Sequence, residues 1–295
     1  MADNNVAQHG GAVNETKGGI GALAAVLLTL LGLVVGALLG MFVLKGIVKA
    51  NPSALAGKTT LTEAELDNAV ASFVYNGEQT DISARDAILS ASSLEASKTE
   101  DGNYSLPAAD AVLSFARNAI LAKDVEAHGI KVSESDITAY AEEYMGTSDY
   151  SSIASQYGMD EDQVKKTLEQ SCATRKLYEE VVDQPDSTMP DAPTTPEEGK
   201  EGEATAEYGA YIVELLGDEW DSANNKWARE DGPFYEALGT ETFSADSATY
   251  SQAESAYYVA YSQYSQQSSN ASAAWTEYVN GLLSNASVNI FSLVS

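Results

Sequence analysis

The sequence predicts a mainly α-helical protein carried behind a single membrane-spanning segment. Three observations support this. One run of 27 residues, between Lys17 and Lys45, holds no charge. A series of amphipathic stretches follows, most of them opened by a capping residue and two closed by glycine. The C-terminal third is rich in Tyr and Trp at helical spacing.

Composition narrows the chemistry. The 295 residues suffice for one or two domains, and they carry 16 Lys+Arg against 44 Asp+Glu, a net charge of −28. A nucleic-acid partner is excluded, because such binding rests on basic side chains neutralising phosphates. With two His (His9, His128) and one Cys (Cys172), four Cys/His zinc ligands and an intrachain disulfide are excluded. Catalytic, metal and cofactor sites are all expected to be absent.

Residues 1–18 form a Gly-rich N-terminal tail, and 19–45 form the anchor. Ile20 to Leu44 would span roughly 37 Å as a helix, more than the ~30 Å of hydrocarbon core. The apolar run is too long for a cleaved signal peptide, so an uncleaved anchor is expected. Gly32, Gly36 and Gly40 repeat a spacing that packs membrane helices together, so a homodimer through it stands beside a lone anchor. Lys45 and Lys49 would favour a cytoplasmic C-terminal flank, yet long domains translocate largely regardless of flanking charge.

After a short linker over 50–60, Thr62 and Glu65 make a capping box. Leu66, Ala69, Val70 and Phe73 then continue an apolar face at helical spacing, which predicts a helix. Asn76-Gly77 marks a turn, so a small hairpin of 73–75 with 80–82 is the competing reading. Ser83 or Asp81 starts the next helix. Pro107 suits the first turn of a long one, lined by Val112, Phe115, Ala116, Ala119, Ile120 and Val125 and stopped at Gly129. Ser133 opens a helix through Ile137, Tyr140, Ala141 and Tyr144. Another carries Ile153 and Tyr157 and stops at Gly158, and Asp160 lies in the acidic opening of the last, through Leu177 and Val182.

Residues 184–206 hold four of the seven prolines and no large aliphatic side chain except Met189, which predicts a disordered linker. The 207–273 section reads as aromatic-rich helices, with Tyr250 to Tyr264 on one long helix. Residues 274–291 read as a closing helix, broken or bent at Asn280-Gly281, and a short strand at Val288-Asn289-Ile290.

Several phrases together resemble the N-terminal chaperone domain of the SurA/PrsA-type foldases. They are Thr62-Glu63-Ala64-Glu65-Leu66, then Ala127-His128-Gly129-Ile130-Lys131-Val132-Ser133 and Tyr157-Gly158-Met159-Asp160-Glu161-Asp162. At the end, Trp275 to Tyr278 and Val288 to Ile290 resemble the family's closing helix and strand. The match covers roughly 60–183 and 274–291. It implies one helical chaperone domain completed by the C-terminal helix, extracytoplasmic placement, and unfolded or secreted polypeptides as partners. The chain departs from the family where a parvulin-type prolyl isomerase domain is usual. The 184–273 interval has neither His and no Gly-Gly-Asp-Leu-Gly phrase, so no catalytic residue is carried over. A divergent isomerase and a structural cell-envelope scaffold are the alternative readings.

Candidate sites are few. His128 suits a helix C-terminus, Cys172 a buried apolar position, and Asp160-Glu161-Asp162 an acidic helix start rather than a calcium loop. Tyr257, Tyr261 and Tyr264 are the candidate client-binding residues: they share a helical face, and tyrosine offers broad contact with a polar tip. The competing reading packs that face on the core.

Overall fold

In the computed structural model the residues described are 55, 57–186 and 188–292. The tail and the 19–45 segment lie outside them, and no helix among the described residues is long and apolar enough to cross a membrane. Within them the fold is mainly α, with eight α-helices and short sheets.

The first element corrects the expected helix. Thr62 and Glu65 do form the capping box, but it opens only a single 3-10 turn, Glu63–Glu65. The chain then enters strand β2 (Ala69–Tyr75), after the short β1 (Thr60–Leu61). Leu66, Ala69, Val70 and Phe73 fit helical spacing because nearly every position there is apolar. Six of the seven β2 residues are buried, as in a strand covered on both faces. Asn76 and Gly77, both at positive φ (51° and 80°), turn β2 back into β3 (Glu78–Ser83). Two such residues suit the tight hairpin turn that matches strand twist.

Ser83 ends β3 and caps α1 (Ala84–Leu89), its Oγ accepting from Asp86 N at 3.0 Å. After β4 (Tyr104–Ser105), which pairs with β1, comes α2 (Ala109–Ala127). Pro107 stands just outside that helix, before its N-cap Ala108. At the other end Ile130 N bonds Val125 O and Gly129 N bonds Glu126 O, with Gly129 at φ 69°. That pair of bonds is the Schellman arrangement a glycine permits. α3 (Glu134–Met145), α4 (Tyr150–Tyr157) and α5 (Glu161–Val181) come after it, capped by Ser133, Asp149 and Asp160. They enclose a small core of Ile137, Tyr140, Ile153, Val164 and Leu168.

The expected disordered linker is corrected in part. The described residues of 184–205 form no helix, but they are tied to the fold by hydrogen bonds and a buried Pro193. α6 (Ala206–Leu216), the hairpin β5 (Trp220–Asp221) and β6 (Lys226–Trp227), and α7 (Pro233–Leu238) come next. The final helix, α8 (Tyr250–Ser284), is a single helix of 35 residues, and no break occurs at Gly281. A mid-helix glycine costs about 1 kcal/mol relative to alanine. Here Val279 on one side and Leu282 and Leu283 on the other are seated in apolar clusters, which hold the helix through that point.

α8 joins two bodies. Its first turns pack on α6 and α7 around Ile212, Leu216, Leu238 and Ala253. Its last turns bring Ala271, Trp275 and Val279 against Leu121, Val125 and Leu177. The chain then closes as β7 (Ala286–Ile290), antiparallel to β2 from Tyr75↔Ala286 to Ala71↔Ile290. The resulting order β3-β2-β7 puts the two distant ends of the described chain in one sheet.

Candidate functional site

Tyr208 and Tyr211 of α6 and Tyr250, Tyr257 and Tyr261 of α8 make one aromatic face. Tyr208 and Tyr211 stand three residues apart on α6, so they are neighbours on one side of that helix. Small residues on α8, Ala253 and Ala256, are fully buried against this body. Tyr208 meets Tyr250 edge-on at 5.8 Å, and Tyr257 stacks on Tyr261 at 5.8 Å. Tyr258, beside Tyr257, is 60% exposed.

Of the three predicted residues, Tyr257 and Tyr261 lie together on this face. Tyr264 stands farther along α8, near enough to Tyr178 of α5 to add to the burial that raises the Tyr178 phenol. All three are half-buried, and none belongs to an apolar core cluster. Of the stripe, Tyr250 packs against the core of α6 and α7, while the buried apolar positions on α8 are Ala253, Ala256, Ala271, Trp275 and Val279.

Two hydroxyls of the face already hold chain. Tyr208 donates to Thr194 O at 2.7 Å and Tyr211 to Asp191 O at 2.6 Å. Burial, followed by the neighbouring Tyr257 and the Asp191 charge, pushes the Tyr211 phenol up to about 12. The Tyr257 phenol is raised likewise, by burial and then by Tyr261 and Tyr258. Both therefore keep their protons at neutral pH and remain donors. Sequence reasoning missed Tyr208 and Tyr211; the available signal was their Tyr-x-x-Tyr spacing beside a segment with prolines at intervals of three.

The other candidates have structural partners. Cys172 is buried in the small α3–α5 core, where burial raises its thiol away from the reactive thiolate. Asp160 is the N-cap of α5 and Gln163 returns its bond, which accounts for the acidic opening. Among the described residues no group of His, Cys, Asp or Glu is arranged to hold a metal ion.

His128 joins three helices rather than only ending one. Its Nδ1 lies 2.8 Å from Glu180 of α5, and its Nε2 3.1 Å from the Tyr278 hydroxyl of α8. That hydroxyl donates to Asp124 of α2 at 2.5 Å, and Tyr75 of β2 lies near it. The bond to Glu180, then the Asp124 and Glu180 charges, raise the His128 pKa above its ordinary value, against the opposing effect of burial. A raised pKa means stabilisation that is complete below about pH 6.5, the unfolded value, and lost as pH rises through the folded one. His128→Asn should therefore lower Tm more at about pH 5.5 than at about pH 9. An equal loss at both would show that imidazolium charge contributes nothing to the junction.

The surface around these sites is acidic. Several of its cations are matched to carboxylates, Arg175 to Glu143 and Glu179, Lys176 to Asp136 and Arg85 to Asp67. From residue 50 onward 13 Lys+Arg face 42 Asp+Glu, so a large acidic surplus remains. Compared with protein-family models, with curated proteins and with solved structures, the chain matches none.

Proposed function

We propose that the chain is a membrane-anchored extracytoplasmic chaperone without enzymatic activity, which holds unfolded polypeptide on the tyrosine face of α6 and α8. Its helical domain would be of the SurA N-terminal kind, completed by the closing helix and strand, with residues 19–45 as the membrane anchor. The observation that carries the reading is the pair of tyrosine hydroxyls donating to backbone carbonyls of an irregular segment. Carbonyls recur in every polypeptide, so donors aimed at them hold a chain with little regard to its sequence. The half-buried rings of Tyr257 and Tyr261 and the exposed ring of Tyr258 add apolar contact without much loss of side-chain entropy.

Two features set the strength of such holding. Ordering a flexible client opposes the burial of its side chains, so affinity is weak. The acidic surplus favours cationic clients, with binding screened by salt over ~8 Å at physiological ionic strength.

The test is to change Tyr257, Tyr261 and Tyr264 to Ser and follow both client aggregation and Tm. Because the three side chains are only half-buried, Tm should fall by no more than a few degrees while suppression of aggregation is lost. Retained suppression at unchanged Tm would remove the face from the function. A fall in Tm comparable to that of a core truncation would return the stripe to a packing role.

A further inference from the structure

The segment lying on the tyrosine face has a periodicity of its own. Pro190, Pro193 and Pro196 recur every third residue. Pro193 is buried and the other two half-buried, whereas Asp191, Ala192, Thr194 and Thr195 between them are exposed. A polyproline II helix has three residues per turn, so prolines at this spacing form one edge of it. The carbonyls of Asp191 and Thr194 are also one such turn apart. Each accepts from a tyrosine, Asp191 from Tyr211 and Thr194 from Tyr208, so the segment runs antiparallel to α6. The two donors are three residues apart as well, a rise of about 4.5 Å along α6 against about 9 Å between the carbonyls along polyproline II, a difference that the long tyrosine side chains span.

We propose that this face is a recognition site for proline-rich extended segments of Pro-x-x-Pro spacing, with residues 190–196 as a built-in occupant that a client's own segment displaces. The inference rests on the holding role proposed above and narrows it to a class of client. Proline suits the site for two reasons. A polyproline II chain makes no internal hydrogen bonds, so its carbonyls are free for outside donors. It is also stiff before binding, so it loses little entropy against an aromatic-lined surface. The built-in segment is covalently attached, so a client competes against an effective concentration on the order of millimolar. Clients with several proline-rich repeats are favoured over those with one.

The probe is a fluorescein-labelled peptide with the sequence of residues 188–198, followed by anisotropy on the full chain. Pro190, Pro193 and Pro196 are changed together to Ser, which removes the stiffness of the built-in segment and weakens its hold while leaving the residues of the face unaltered. This variant should bind the peptide roughly 10-fold or more tighter than the unaltered chain. Adding Tyr208→Phe and Tyr211→Phe, which keeps the rings and removes the donors, should reverse that gain. A peptide of the same composition with the interval of three broken should bind weakly to every form. In the unaltered chain, peptide at about millimolar concentration should raise hydrogen exchange across 188–198. Equal binding to variant and unaltered chain, equal binding of the rearranged peptide, or unchanged exchange would each overturn the proposal. Aggregation of a proline-free client separates the two readings. If it is suppressed while the peptide fails to bind, only the proline preference falls. If the peptide binds and no client is held, the chaperone role falls and the proline site stands.

Discussion

Replacing Trp275 by Ala should destabilise the protein by about 3–5 kcal/mol, the usual cost of deleting a buried aromatic ring. The ring is 5% exposed and belongs to the cluster where α8 meets α2 and α5. It meets Tyr178 edge-on at 5.5 Å and stacks on Tyr278 at 5.8 Å, so its loss also removes two aromatic contacts. Tyr278 in turn carries the bonds to Asp124 and His128, which places the polar junction directly beside the cavity. At about 2–4 °C per kcal/mol for a chain of this size, Tm should fall on the order of 10 °C. Tyr258→Ala, at a 60% exposed position on the same helix, should cost no more than about 0.5 kcal/mol. Thermal melts of the two variants check this, and a Trp275→Ala loss below about 1 kcal/mol would mean that the closing helix is held elsewhere.

Gly209→Ala should also destabilise, by about 1–3 kcal/mol, although alanine is intrinsically the better helix former by about 1 kcal/mol. A Cβ at Gly209 would stand 2.5 Å from Ser244 O and 2.6 Å from Ala245 O. These are backbone atoms of a braced loop: Ser244 and Ser247 exchange two hydrogen bonds, and Ala248 does the same with Thr205. α6 would have to back away, carrying Tyr208 and Tyr211 off the carbonyls they hold, so peptide release should accompany the loss of stability. Gly281→Ala on α8 is the matched control, because its Cβ would meet nothing within 4 Å. It should stabilise by about 0.5–1 kcal/mol. Denaturant unfolding of both variants reads the sign directly; stabilisation by Gly209→Ala would overturn the close approach.

The helix ends are where sequence reasoning was most accurate. Gly129 after His128, Gly158 after Tyr157 and the residues opening α3 and α5 all act within three or four positions of themselves. Local hydrogen bonding decides them, so local sequence reveals them. The long α2 was legible for a similar reason, its buried Val112, Phe115, Ala116, Ala119 and Ile120 falling at helical intervals along one side. β2 was not. A segment apolar at nearly every position satisfies both periods, and what makes it a strand is β3 on one side and β7, about 210 residues later, on the other.

The tyrosine face divides in the same way. That Tyr257 and Tyr261 share a side of one helix comes from their spacing alone, but whether that side meets core or water depends on what packs against α8, and α6 and α7 take its alanine side instead. The stretch before α6 is polar and proline-rich, and partners distant in the chain hold its described residues: Gln267 holds Asp186, Tyr211 and Tyr208 hold the carbonyls of Asp191 and Thr194, and Ala248 pairs with Thr205. The sequence by itself determined the uncharged run, the acidic surplus, the helix caps and the proline interval, since each depends on residues close together in the chain. The tertiary structure alone decided the central strand, the unbroken α8, the His128 junction and the seating of the Asp191 and Thr194 carbonyls on the tyrosines. Each of those depends on a partner whose distance along the chain leaves no local trace.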